Sequence, residues 1–250
     1  MYDEFSESFS QKRKNPWKPF LNFIQSLEKT QEFQNCADNG IWCDLGTGNG
    51  RHLQIITQYS QKYIGTDISF SLVHIARTQN DPKKQHNWIA CDLNALPFRK
   101  NTFQSIVSIA VLHHILGKHQ LRKLMHKINQ LLTKNGIFIL SLWGAFKGKN
   151  ESTLKRKNFH RRMSNLPIIQ AFSGKRIVLG VNDVVVPWTM IQKHNQPIKK
   201  PRFYHLYSVN ELQTFKEIFN TIKFQAVYMG KNAGMNYFLC LAKIYSNLMA

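Results

Sequence analysis

A run of eight residues, Cys43-Asp44-Leu45-Gly46-Thr47-Gly48-Asn49-Gly50, leaves few folds open to this chain. It follows a short apolar stretch and precedes an amphipathic one. Alternate glycines permit left-handed backbone and let a ligand approach the main chain, while free N–H groups at a helix start attract negative charge. A strand that ends in such a turn and runs into a helix is a nucleotide-binding unit of an α/β fold. The dinucleotide pattern G-x-G-x-x-G would need glycine at position 51, where the chain has Arg51. NAD is therefore disfavoured, and the spacing is D-x-G-x-G-x-G.

The surrounding sequence agrees with that unit. Between Ile41 and Ile139, β-rich runs alternate with amphipathic helical ones, the pattern of βαβ repeats and a mostly parallel sheet. Strands are predicted at Ile41–Leu45, Tyr63–Thr66, Trp88–Cys91, Ser105–Ala110 and Ile137–Leu142, with Trp42 and Trp88 in the core. Leu121, Leu124, Met125, Ile128, Leu131 and Leu132 share one face of a helix over Lys118–Thr133, and Asn135-Gly136 is its stop signal. Ser208 and Glu211 form a capping box opening a helix that carries Leu212, Phe215, Ile218 and Phe219. The strand-like runs Phe224–Met229 and Tyr237–Ile244 flank a Gly/Asn-rich turn, Gly230–Asn236, and predict a closing hairpin. The expected architecture is a doubly wound α/β sheet of seven strands in one domain over residues 1–250. Residues 1–40 are a covering segment, 41–143 the ligand-binding core, 147–202 a basic insertion, and 203–250 the final helix and hairpin.

Charge narrows the class of partner. The chain carries 34 Lys and Arg against 14 Asp and Glu, a formal net charge of +20. A polyanion, nucleic acid before acidic membrane, is the electrostatic expectation. Residues 147–202 hold 13 of the basic residues and two acids, Glu151 and Asp183, interleaved with Phe159, Phe172 and Val184–Trp188. So long a connection implies structure or function of its own, and this composition predicts an RNA-facing surface. Cys36, Cys43, Cys91 and Cys240 form no C-x-x-C pair, so neither zinc nor a disulfide framework is expected. No leader pattern and no stretch of 18 apolar residues occurs, so the expectation is a soluble protein of the cytoplasm, with a nuclear address left open by the Lys/Arg clusters.

Two further acids stand where a nucleoside would be read. Asp67, in Ile64-Gly65-Thr66-Asp67, can accept both ribose hydroxyls, and Asp92, in Ala90-Cys91-Asp92-Leu93, can accept from an adenine amino group. The set Asp44–Gly50, Asp67, Asp92-Leu93, Leu96-Pro97-Phe98 and Phe103–Ile115 (FQSIVSIAVLHHI) resembles the class I S-adenosylmethionine-dependent methyltransferases. The resemblance implies that Asp44 with Gly46, Thr47, Gly48, Asn49 and Gly50 holds the methionine end of that cofactor. It places Asp67 and Ile68 at the ribose, Asp92 and Leu93 at the adenine, and Ala110 at the end of the fourth strand beside them. Gln104 departs from the usual Asp after Phe103.

A narrower resemblance rests on outer segments. Tyr2-Asp3-Glu4, Phe9 to Arg13 and Pro16-Trp17, then Asp183 to Trp188 (DVVVPW), then Arg202 to Tyr207 (RFYHLY) with Glu211-Leu212, are similar in order and spacing to the tRNA wobble-uridine carboxymethyl methyltransferases. These are the yeast Trm-nine type and the methyltransferase half of the human AlkB-homologue-eight enzyme. Thr47 stands where that family usually has Cys. The resemblance implies methyl transfer to the carboxylate of 5-carboxymethyluridine at position 34 of a tRNA anticodon stem-loop. It also implies a small zinc-binding activator protein as partner. On that reading Arg13, His113, Arg202 and His205 are the catalytic candidates, and Trp17, Trp143, Trp188 and Tyr204 the substrate-binding ones. A small-molecule methyltransferase and an inactive RNA-binding relative remain the alternatives.

Overall fold

The computed structural model describes residues 2–37, 40–81, 86–145, 182–191, 197–228 and 235–243. Most of the basic insertion, including Phe159 and Phe172, and the turn before Met235 lie outside the described residues. The seven-stranded sheet runs in the order β3-β2-β1-β4-β5-β9-β8. Its strands are β1 (Trp42–Leu45), β2 (Tyr63–Asp67), β3 (Asn87–Ala90), β4 (Phe103–Ile109), β5 (Leu132–Gly144), β8 (Phe219–Tyr228) and β9 (Met235–Lys243). The first five are parallel, whereas β9 joins β5 and β8 antiparallel. Strand order reverses between β1 and β4, which opens a crevice at their carboxyl ends.

Period-two alternation assigns the two faces. Leu45, Ile106, Leu140 and Leu239 meet Leu124, Met125, Ile128 and Leu131 of one helix, α6 (Lys118–Leu131). Trp42, Val107, Ile139 and Phe238 meet Phe20, Phe23 and Ile24 of α2 (Lys18–Gln25) and Ile55 and Ile56 of α4 (Leu53–Ile56). The central strands β1, β4, β5 and β9 are thus apolar on both sides, as a sheet covered by helices requires.

Two boundaries differ from the sequence reading. Helix α6 ends at Leu131 because Leu132 is already extended and pairs with Phe103, and Asn135-Gly136 falls inside β5 beside a register shift. The capping box forms, with the Ser208 and Glu211 amides each donating to the other's side chain at 2.8 and 3.3 Å. It opens only a 3-10 turn and the short α7 (Gln213–Lys216), because Phe219 begins β8. A separate antiparallel ribbon, β6 (Asp183–Ile191) with β7 (Pro197–His205), was not foreseen as strands. It stands over the crevice.

Candidate active site

The turn after β1 owes its shape to its glycines. Gly46, Gly48 and Gly50 all have left-handed φ, and a Cβ on Gly46 would lie 2.4 Å from the Val111 side chain. The turn's own amides are largely committed. Gly46 and Thr47 both donate to the Thr66 carbonyl at 2.8 Å, Gly50 donates to Thr47, and Gly48 donates to Asp67 Oδ2 at 2.9 Å. The expectation that free N–H groups of this turn attract the ligand's negative charge is therefore not met for these four.

Beside the turn lies a cleft of about 300 Å³ lined by Gly46, Thr47, Gly48, Asn49, Asp67, Ile68, Asp92, Leu93 and Ala110, so nine of the eleven expected cofactor residues converge. Asp67 also accepts from the Ser69 amide, and burial raises its pKa against the pull of these amides. Asp92 caps the turn Leu93–Ala95 through the Asn94 amide at 2.8 Å. Ala110 holds φ of +60°, an uncommon conformation for a residue with a Cβ, fixed by its amide donating to Ser141 Oγ.

Asp44 and Gly50 do not line the cleft. Asp44 is 1% exposed behind the turn and accepts from the Tyr63 hydroxyl, which also bonds Thr47 Oγ1. Burial raises its pKa to about 6. A Cβ on Gly50 would meet Trp88 and Ala76, so this glycine serves helix packing.

Residues 2–13 strap across the cleft. Asp3 Oδ1 accepts from Ser69 Oγ at 2.6 Å and from the Ser71 amide at 2.8 Å, and Asn49 Nδ2 donates to the Arg13 carbonyl at 3.0 Å. The β6–β7 ribbon clasps this strap through Glu4–Lys200 at 2.8 Å and through Trp188, whose ring packs on Phe5 and Phe9. The Arg13 and Arg202 guanidiniums lie over the same Trp188 ring at 5.0 and 4.5 Å. Trp188 therefore positions the two arginines and does not itself line the cleft. Tyr204 is stacked on Trp143 with centroids 4.4 Å apart, and on His113 at 5.0 Å.

Arg13, His113, Arg202, Trp143 and Tyr204 all reach the cleft. Besides Trp188, two candidates do not. His205 donates from both ring nitrogens, Nδ1 to Asp183 at 2.6 Å and Nε2 to Glu211 at 3.0 Å, pinning β7 to β6 and to the capping box. Burial pulls its pKa down, but these two carboxylates prevail and raise it. Trp17 packs on Phe238 in the core under the sheet. His113 is 1% exposed with Nδ1 lacking a partner, and burial drives its pKa well below the usual range, so it is a neutral ring. Sequence reasoning passed over Tyr2, Arg51, His52 and His114, which also line the cleft. Arg51 was visible only as the residue that spoils a dinucleotide pattern.

Residues 43–140 match the family described as a methyltransferase domain. Over that stretch the chain is similar to methyltransferase domains. Its fold is that of the Rossmann-like methyltransferases: a solved S-adenosylmethionine-dependent methyltransferase from Clostridium acetobutylicum superposes with a TM-score of 0.65 at 12% identity, covering 97% of this chain and 98% of that one. The tRNA (carboxymethyluridine(34)-5-O)-methyltransferase of Schizosaccharomyces pombe is 25% identical over 87% of this chain and 85% of its own length. The Xenopus tropicalis protein of the same activity, named alkbh8, is 24% identical over 91% of this chain, which spans 38% of that relative's length. No helix among the described residues is long and apolar enough to cross a membrane, and no cluster of metal-ligating side chains occurs among them.

Proposed function

We propose that this methyltransferase domain uses S-adenosylmethionine to esterify the carboxylate of 5-carboxymethyluridine at position 34 of tRNA. The observation that carries the reading is Arg202. The residue is 6% exposed, its Nε has no hydrogen-bond partner, and no carboxylate pairs with it or with Arg13 among the described residues. A buried, unpaired cation is costly unless a ligand supplies the anion. The similarity to carboxymethyluridine methyltransferases supports the same anion.

The cleft fits the donor. Asp67 and Asp92 stand at its nucleoside end, and Asn49 Oδ1 is buried without a partner near the turn. When bound, S-adenosylmethionine supplies an electrophilic methyl group on a sulfonium centre. The protein's part is alignment. A substrate carboxylic acid with pKa of about 4 is already ionised at neutral pH, so no general base is needed, consistent with a neutral His113. Arg13 and Arg202 hold the carboxylate, the Trp143–Tyr204 stack walls the pocket, and the strap with Trp188 excludes the water that would stabilise separated charges.

The zinc-binding activator belongs to the same proposal. It would extend the sheet at β3, an edge strand, beside α5 (Phe70–Ile75), where Phe70 is 69% exposed. A tRNA substrate fits an enzyme of the cytoplasm, with a nuclear pool in keeping with the Lys/Arg clusters. Incubation with S-adenosylmethionine and hypomodified tRNA, with and without activator, tests the reading. Nucleoside mass spectrometry should show carboxymethyluridine converted to its methyl ester; conversion in neither reaction refutes it.

A further inference from the structure

Helix α6 turns Leu124, Met125, Ile128 and Leu131 into the core, and its outer face carries Lys118, Arg122, Lys123 and Lys127. No Asp or Glu occurs anywhere in its sequence. A helix that needed only solubility would interleave acids with these cations at i+4 spacing. Here Lys118 meets Arg122 and Lys123 meets Lys127 at that spacing, like charges that oppose the helix. Arg122 pairs with Glu217 at 3.5 Å, with both side chains more than half exposed, and the three lysines have no ion pair among the described residues. The placement of this face is equally one-sided. Ile115 and Leu116 line the cleft and Gly117 caps α6, so the helix starts at the cleft mouth, and its 14 residues lead about 21 Å away from it. At the far end the Asn101 and Thr102 amides donate to the Gln130 and Leu131 carbonyls at 2.9 and 2.8 Å, which sets the exposed Arg99 and Lys100 beside the last turn.

We propose that this tract, Lys118, Arg122, Lys123 and Lys127 continued by Arg99 and Lys100, tracks the phosphates of the anticodon stem while the wobble base occupies the cleft. The inference rests on the tRNA reading above and deepens it by naming a surface outside the cleft. A nucleotide inserted in the cleft leaves its flanking backbone at the mouth, where α6 begins. The strand that leaves the mouth then meets a straight row of cations along its exit. A paired RNA stem offers such a row its phosphates and 2′-hydroxyls rather than readable base edges. Phosphate contacts fix register and carry no sequence information, so stems of different sequence should gain alike from the tract. Phosphates also replace the repulsion between neighbouring cations of α6 with attraction, so the face that opposes the free helix favours the bound one.

The test compares the full-chain double variant Lys123→Gln/Lys127→Gln with a control of equal charge, Lys29→Gln/Lys62→Gln, whose exposed lysines follow α2 and α4 on the other face of the sheet. Filter binding of unmodified tRNA transcripts at several salt concentrations gives Kd and its salt slope. Methyl transfer to a trinucleotide with a central 5-carboxymethyluridine gives kcat/KM on a substrate that has no stem. Loss of two phosphate contacts predicts that the α6 variant binds tRNA about 10-fold or more weakly, with the slope of log K against log salt smaller by about 1.5–2. Transcripts of different stem sequence should lose the same factor, the trinucleotide should keep kcat/KM within about twofold, and the control should bind tRNA within about threefold of wild type. Unchanged tRNA binding by the α6 variant overturns the proposal. So does a control that loses as much, which leaves net charge alone, or a trinucleotide activity that falls in step with tRNA binding, which makes the lysines part of the fold. Wild-type protein that esterifies neither substrate refutes the carboxymethyluridine reading instead, a separate failure, since the binding measurement needs no turnover.

Discussion

Replacing Arg202 with methionine separates holding the substrate from holding the fold. In the free protein this guanidinium is buried over Trp188 at 4.5 Å and Tyr204 at 5.1 Å, facing the like charge of Arg13. Methionine fills a similar volume. The lost cation–π contacts are worth about 0.5–2 kcal/mol, and relief of a desolvated, unpaired cation offsets them. The net change should lie within about 1 kcal/mol, a shift of roughly 2–4 °C in Tm for a domain of this size. With substrate bound, the balance is different. Truncating one side of a dry guanidinium–carboxylate pair costs about 2–5 kcal/mol. At about 1.4 kcal/mol per decade, kcat/KM on a carboxymethyluridine anticodon stem-loop should fall by roughly 30- to 4000-fold. Differential scanning fluorimetry and single-turnover kinetics read the two quantities on one preparation. A variant that keeps kcat/KM within threefold of wild type refutes the carboxylate assignment. A variant that loses more than about 10 °C in Tm refutes the claim that Arg202 is strained in the free protein.

Three further outcomes follow from groups beside the cleft. Asp44 has its folded pKa raised from 3.8 to about 6 by burial, so its stabilising protonated form is fully present below about 3.8 and lost as pH rises through 6. Asp44→Asn keeps an acceptor for Tyr63 and should be more stable than wild type at pH 8, by on the order of 2–3 kcal/mol, with no gain at pH 3.5; denaturant melts at both pH values decide it. His205 has a raised folded pKa, so its contribution is present below the usual imidazole value and fades as pH rises through the raised one. His205→Gln should therefore cost stability most at pH 6 and least at pH 9, while kcat/KM falls less than for Arg202→Met; equal losses at the two pH values would remove the ion pairs from the account. With 34 basic residues in the chain, tRNA affinity should drop by a decade or more between 50 and 200 mM salt, measured by filter binding; a flat response would count against phosphate contacts.

What the sequence reveals and what it conceals divides along one line. The glycine turn, Asp67 and Asp92 were legible because their roles are local: a left-handed backbone needs glycine, and an acid at a strand's end lies where the crevice opens. The arginines were legible only in part, because motif order says which segments meet and not which way their side chains point. On β7 the pleat does say so. Arg202 and Tyr204 are two apart and share the face that looks into the cleft; His205, three residues from Arg202, turns away to Asp183 and Glu211. Period-two reading of residues 202–205 separates His205 from Arg202 and Tyr204, but the sequence reading did not treat this stretch as a strand, and Pro197 and Pro201 lie in it. Both prolines are tolerated because the ribbon has two strands and each is an edge. Trp17 misled for the opposite reason. The family resemblance of the N-terminal segment grouped it with Arg13, but α2, with Pro19 in its first turn, carries the chain under the sheet and lodges the ring on Phe238. Arg51 escaped notice because a pattern was read by what it lacked. The third glycine of a dinucleotide motif is absent, and the same position carries a guanidinium that lines the cleft.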